Sequence, residues 1–239
     1  MKKLPDLFNN NTVNIFTDSS VTTKNGVTYS SSGAIAVYGK GAIVDRDVLI
    51  LRDSTNNIGE LLAVFLGLLL MVKSRPTFSD QKYNLFSDSS FSIRGLTDWL
   101  PSWYRNSINE VFMNSSHREV SHYLIFQIII RFIVNNNLNI TMNRVRGHID
   151  TRSDKQIKIA TDYFNHSNYI AENKPFAEST VEAISFYNNY IDKYTRDQFD
   201  SNKKEYSIEQ LFPMEIIHMD QDILSKYFNL IQMKEDFRR

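Results

Sequence analysis

The sequence predicts an α/β protein: a mixed five-stranded sheet, three antiparallel strands followed by parallel ones, with helices on both faces and a helical C-terminal extension. Three observations carry this. Three short β-patterned runs separated by turn chemistry come first. Apolar helical stretches then alternate with two more strand-like runs. From about residue 171 only helical periodicity remains.

Residues 1–12 form a lead-in containing a run of asparagines. The first strand, "VNIFTDSS" (13–20), leads into "VTTKNGVTYSSSG" (21–33), where Asn25-Gly26 signals a tight turn. "AIAVYG" (34–39) and "DVLILRD" (47–53) complete a meander. A helix over about 57–73 follows, then a fourth strand in "KYNLFSDSS" (82–90) and a helical stretch over 91–108 interrupted at Pro101. "REVSHYLIFQIIIRFIV" (118–134) is a further helix, "NITMNRVRGH" (139–148) a fifth strand, and "SDKQIKIATDYFNHSNYI" (153–170) a helix. In the extension, Val181, Ile184, Tyr187, Ile191 and Tyr194 share one helical face. Residues 220–233 repeat the pattern. The division is a domain over 13–170 and an extension over 171–239.

Composition narrows the function. Hydrophobic residues make up 42% of the 239, enough for a sizeable core. Lys+Arg and Asp+Glu balance at 27 each, so nucleic-acid binding must rest on local patches or bound metal. With no cysteine, thiolate metal sites and a cysteine nucleophile are excluded, and an intracellular location is expected. The start has no apolar signal region, and the apolar run 61–72 is too short to span a bilayer, so no membrane role is expected.

Three acids stand at element ends. Asp18 in "IFTDSS" and Asp88 in "LFSDSS" close two apolar strands, and Glu60 begins the helix between them. Taken singly, each has an ordinary explanation in turn chemistry or the helix dipole. Three converging carboxylates, however, repel one another unless a cation compensates. An all-oxygen set suits Mg²⁺, or Mn²⁺, rather than Zn²⁺.

In this order the motifs resemble those of type 1 ribonuclease H, over roughly residues 12–170. Asp18 in "TDSS", Glu60 in "STNNIGELLA" and Asp88 in the D-S pair of "SDSS" match the family's first three acids. Trp99 and Trp103 follow Asp88 by eleven and fifteen residues, as the family's channel tryptophans do. "VRGHID" supplies the Gly-His pair with His148. For the fourth acid the best match is Asp162 in "IATDYF", fourteen residues beyond His148, with Asp154 and Asp150 as rivals. The basic handle of many members is weak, since Arg94, Arg105 and Arg118 are offset by Asp98, Glu110 and Glu119. The family's glycine-rich turn after the first strand is replaced by residues 20–33.

The resemblance implies hydrolysis of the RNA strand of RNA–DNA hybrids with two Mg²⁺ ions held by Asp18, Glu60, Asp88 and Asp162. It implies that His148 assists proton transfer or product release. Asn56 and Asn57 would read 2′-hydroxyls, Thr55 a DNA phosphate, and Trp99 and Trp103 the DNA strand, with Ser89 also in the substrate-binding set. Two other readings remain open: the same fold as an inactive binding module, or a DNA-cutting nuclease. The extension would pack on the core, self-associate or dock a partner.

Overall fold

The computed structural model describes residues 12–38, 41–73, 82–168, 175–200, 204–212 and 219–232. The lead-in up to residue 11 lies outside them, as do residue 39 of the predicted second strand, residues 169 and 170 at the end of the predicted helix, and residue 233. β1 (Thr12–Lys24) and β2 (Val27–Tyr38) form a long antiparallel hairpin. Asn25 and Gly26 turn it with φ of 52° and 79°, the paired positive values a two-residue hairpin requires. β3 (Ala42–Arg52) continues antiparallel on β2. β4 (Lys82–Ser87) and β5 (Ile140–Arg144) add in parallel on the other side of β1. The central order is thus β3-β2-β1-β4-β5.

Period-two alternation gives this sheet two apolar faces. Val13, Ile15, Ala34, Ala36 and Leu85 point one way, into a core shared with α1 (Asn56–Lys73), α4 (Tyr123–Asn135) and α8 (Gln221–Leu230). Phe16, Ile35, Val37 and Phe86 point the other way, beneath α5 (Asp154–Ser167) and α6 (Glu178–Asp197). The Phe16 and Phe86 rings stack at 4.8 Å, and Tyr187 of α6 closes on Phe16 at 5.2 Å. Helices therefore cover both faces.

The stretch expected as a helix broken at Pro101 is one bent rod. α2 (Ser90–Arg94) passes through a single wide π turn, Gly95–Trp99, into α3 (Leu100–Arg105). Proline has no N–H to donate back, and a locally widened turn next to it is one way a helix absorbs that loss. The predicted helix over 118–134 begins only at Tyr123, because His122 before it takes a left-handed φ of 63°.

The extension, predicted as wholly helical, also supplies strands. β6 (Glu205–Tyr206), just before the short α7 (Ile208–Leu211), pairs with β3, and β7 (Ile231–Gln232) pairs with β5. The tail thereby covers part of each sheet edge, whose backbone groups would otherwise lack partners. Two-residue strands carry too little periodicity to be read from sequence. Tyr227 of α8 is fully buried and donates its hydroxyl to the Leu96 carbonyl at 2.7 Å, fastening α8 to the π turn.

Candidate active site

The repeated Asp-Ser-Ser motif acquires a geometric meaning from strand register. β1 and β4 are parallel neighbours in which Thr17 faces Ser87. Asp18 and Asp88 each come one residue later, so two carboxylates arrive side by side. Glu60 reaches them from α1, whose first turn contains no acidic residue and is capped by Thr55, which accepts from the Ile58 N–H at 3.3 Å. Glu60 lies one turn further in and is 5% exposed, so the helix dipole does not account for it. Its place depends on Gly59: a Cβ there would fall on the Ser19 hydroxyl and Ser30, forcing α1 off the sheet. One ligand oxygen from each of Asp18, Glu60 and Asp88 lies within 4.8 Å of the others.

This proximity is electrostatically costly. Burial, then repulsion from Asp88 and Asp192, pushes the Asp18 carboxyl up to about 8; the Ser19 backbone amide and Arg196 pull the other way. Burial first and the neighbouring aspartates second hold Glu60 well above its ordinary value. Among the described residues the Glu60 Oε2 is buried without a hydrogen-bond partner. Asp88 is raised by burial, opposed by the Asn188 amide and His148. Clustered, desolvated carboxylates with an orphaned oxygen are the donor set that a hard divalent cation satisfies, and the residues fit Mg²⁺ or Mn²⁺.

A fourth carboxylate faces the cluster, and it is not the one expected. Asp192 of α6 is only 12% exposed; it lies 2.6 Å from an Arg196 guanidinium nitrogen and 3.3 Å from His148 Nδ1. The Ser20 and Thr195 hydroxyls, 3.2 Å apart, join α6 to β1 beside it. Asp18, Glu60, Asp88, Asp192 and His148 all line one cavity of about 480 Å³.

Asp162 does not line that cavity. It is 69% exposed on the outer side of α5 and pairs with Lys158 at 3.3 Å. Its rivals are also elsewhere: Asp150 pairs with Arg152 at 3.2 Å, and Asp154 is an exposed first-turn acid. Asp162 does not turn inward because Ile157, Ala160 and Phe164 define the buried stripe of α5 and Asp162 lies outside it. A sequence signal for Asp192 existed: Asn188, Asp192 and Thr195 run at helical spacing beside Ile184 and Ile191, a polar strip within the buried face of α6.

The other predicted residues divide. His148 sits at φ 56° with a 75% exposed side chain, at the cavity rim. Gly147 before it is required, since a Cβ there would fall on the Asp88 carboxylate. Asn56 lines the cavity; Asn57 is exposed on the same first turn. Ser89 caps α2, accepting from the Ser92 N–H at 3.2 Å. The two tryptophans do not form an exposed ridge. Trp103 is 8% exposed and packs on Phe126 at 5.2 Å, while Trp99 stays half-buried beneath the Arg94 guanidinium at 4.8 Å.

The family model described as RNase H matches residues 10–173. A ribonuclease H of Ruthia magnifica is 27% identical over 139 residues, 58% of this chain and 84% of that protein. One of Pseudomonas aeruginosa is 39% identical over 51 residues, 21% of this chain and 30% of its own length. Among solved structures, the foamy viral protease–reverse transcriptase in complex with dsDNA is similar over 70% of this chain and 98% of that one, at 19% identity and a TM-score of 0.49.

Proposed function

This chain belongs to the RNase H family, and we propose that it is an active, Mg²⁺-dependent ribonuclease that hydrolyses the RNA strand of RNA–DNA hybrids. The observation that carries the reading is the convergence of four carboxylates, from β1, α1, the end of β4 and α6, on one cavity. An inactive binding module would gain nothing from mutually repelling buried acids, which destabilise the fold.

Asp18, Glu60, Asp88 and Asp192 would hold the metal. Bound divalent ions supply Lewis-acid stabilisation of the phosphoryl oxygens and a water acidified enough to attack at neutral pH. The protein's own part is positioning. Gly59 and Gly147 admit Glu60 and His148 to the cavity without displacing Ser19 or Asp88. The buried Asn188 of α6 lies near Asp88, where an amide favours the ionised carboxylate that a cation needs. Exposed and beside Asp192, His148 would carry a proton to or from the leaving oxygen. Asn56, in the cavity wall, offers both a donor and an acceptor to a ribose 2′-hydroxyl.

The test is cleavage of a labelled hybrid, duplex DNA and duplex RNA with Mg²⁺, by wild type and Asp18→Asn. The expected result is cleavage of the hybrid alone, lost by roughly 100-fold or more in the variant, as when a group stabilising the transition state is removed. Hybrid cleavage that survives Asp18→Asn overturns the metal site. Equal cleavage of duplex DNA overturns the substrate.

A further inference from the structure

The cavity wall contains apolar residues that the carboxylate chemistry leaves unused. Val21 on β1 and Phe199 in the turn Gln198–Asp200 after α6 line the same cavity as the four acids. Val21 is 40% exposed. Phe199 is half-buried, yet belongs to none of the core clusters among the described residues. It lies beyond the residues that match the family model.

Phe199 is nevertheless held in place. Lys24 at the tip of β1 donates to the Phe199 carbonyl at 3.2 Å, and the Ser20–Thr195 contact joins the same two elements one step closer to the acids. These ties span the mouth of the cavity from strand to helix end. They fix an aromatic ring and a β-branched side chain in a lip, with the cations of Lys24 and Arg196 beside it. An apolar ring next to positive charge and a phosphate-handling centre suits a nucleotide within a duplex: an apolar sugar face, with phosphate on either side.

We propose that Phe199 and Val21 form a subsite for the nucleotide flanking the scissile phosphate of the RNA strand, with Phe199 packing on the sugar face that a paired strand exposes in the minor groove. The inference rests on reading the site as a ribonuclease H centre. The cavity volume of about 480 Å³ falls within the range of roughly 300–1,000 Å³ typical of small-molecule pockets, room for one nucleotide beside the acids. Val21 stands in the part of the hairpin that replaces the family's glycine-rich turn, and Phe199 comes from the turn after α6, beyond the residues that match the family model.

The experiment measures binding of a labelled hybrid by anisotropy with Ca²⁺ in place of Mg²⁺, and steady-state cleavage with Mg²⁺, for wild type, Phe199→Ala and Phe199→Trp. Phe199→Ala is expected to weaken binding about tenfold, the loss of one aromatic packing contact, with most of the loss in KM rather than kcat. Phe199→Trp should restore it. A variant with lowered melting temperature but unchanged binding and KM makes Phe199 a packing residue and overturns the subsite. Wild type that neither binds nor cleaves the hybrid overturns the ribonuclease reading and the subsite together, whereas intact cleavage with no Phe199 effect removes the subsite alone.

Discussion

α5 and α6 lie side by side on one face of the sheet, and each presents an acid partway along an amphipathic helix. Their acids meet opposite fates. With about 100° of rotation per residue, Asp162 lies roughly 140° round the helix from the buried Ile157, and Asp192 only about 20° from the buried Val181. One carboxylate therefore faces solvent and Lys158, and the other faces Asp18. Rotational phase against the apolar stripe, rather than distance along the chain from His148, decides which acid reaches the site. The comparison also brings α6, expected to pack on the core, self-associate or dock a partner, to the cavity through Asp192.

The harshest way to break this contrast is to end the chain at residue 170, which keeps α5 and removes α6. Val181, Ile184 and Ile191 would leave the sheet face over Phe16 and Ile35. Each buried aliphatic contributes about 1.5–3 kcal/mol, and a whole domain is stable by only about 5–15. The truncated chain should lose its cooperative thermal transition, followed by circular dichroism, and show no hybrid cleavage. A fragment that melts cooperatively and still cleaves would return the fourth acid to α5.

Point substitution sharpens the contrast without dismantling the fold. Asp192→Asn should lower kcat for the hybrid by roughly 100-fold or more, as for loss of an electrostatic group at the reaction centre. Asp162→Asn should leave it within about twofold, because an exposed i,i+4 pair with Lys158 contributes about 0.3–0.5 kcal/mol at most. The reverse ranking in a steady-state assay would show that α6 plays no part in the chemistry.

Much of this was legible in the residues, and what was not has physical causes. The five central strands follow from alternation and turn chemistry, which are local, and the structure has them in the expected sequence order. Asp18, Glu60 and Asp88 were legible because each ends or opens a strongly patterned element. Asp192 was hidden by its setting: a polar residue within an apolar face is read as ordinary helix amphipathicity until the partner surface is known. The burial of Trp103 depends on Phe126 from α4, a contact no local pattern announces. The edge strands β6 and β7 are two residues each and exist only because β3 and β5 offer them partners.

The gentlest test uses protons. Folded Asp18 holds its proton up to about 8, against 3.8 ordinarily. Below about pH 4 the group is protonated in both folded and unfolded chains and costs nothing. As pH rises towards 8 the unfolded chain releases that proton while the fold retains it, so stability should fall across this window and level off above it. Melting temperature in chelator should decline accordingly, and Mg²⁺ should flatten the decline by favouring the ionised carboxylates. Asp192 is one of the charges raising Asp18, after burial and Asp88. Asp192→Asn should therefore make the chelator slope shallower without removing it, whereas Asp162→Asn should not change it. A slope unaltered by Asp192→Asn would mean that the α6 carboxylate is not felt at Asp18, and the distinction between the two helices would then rest on packing alone.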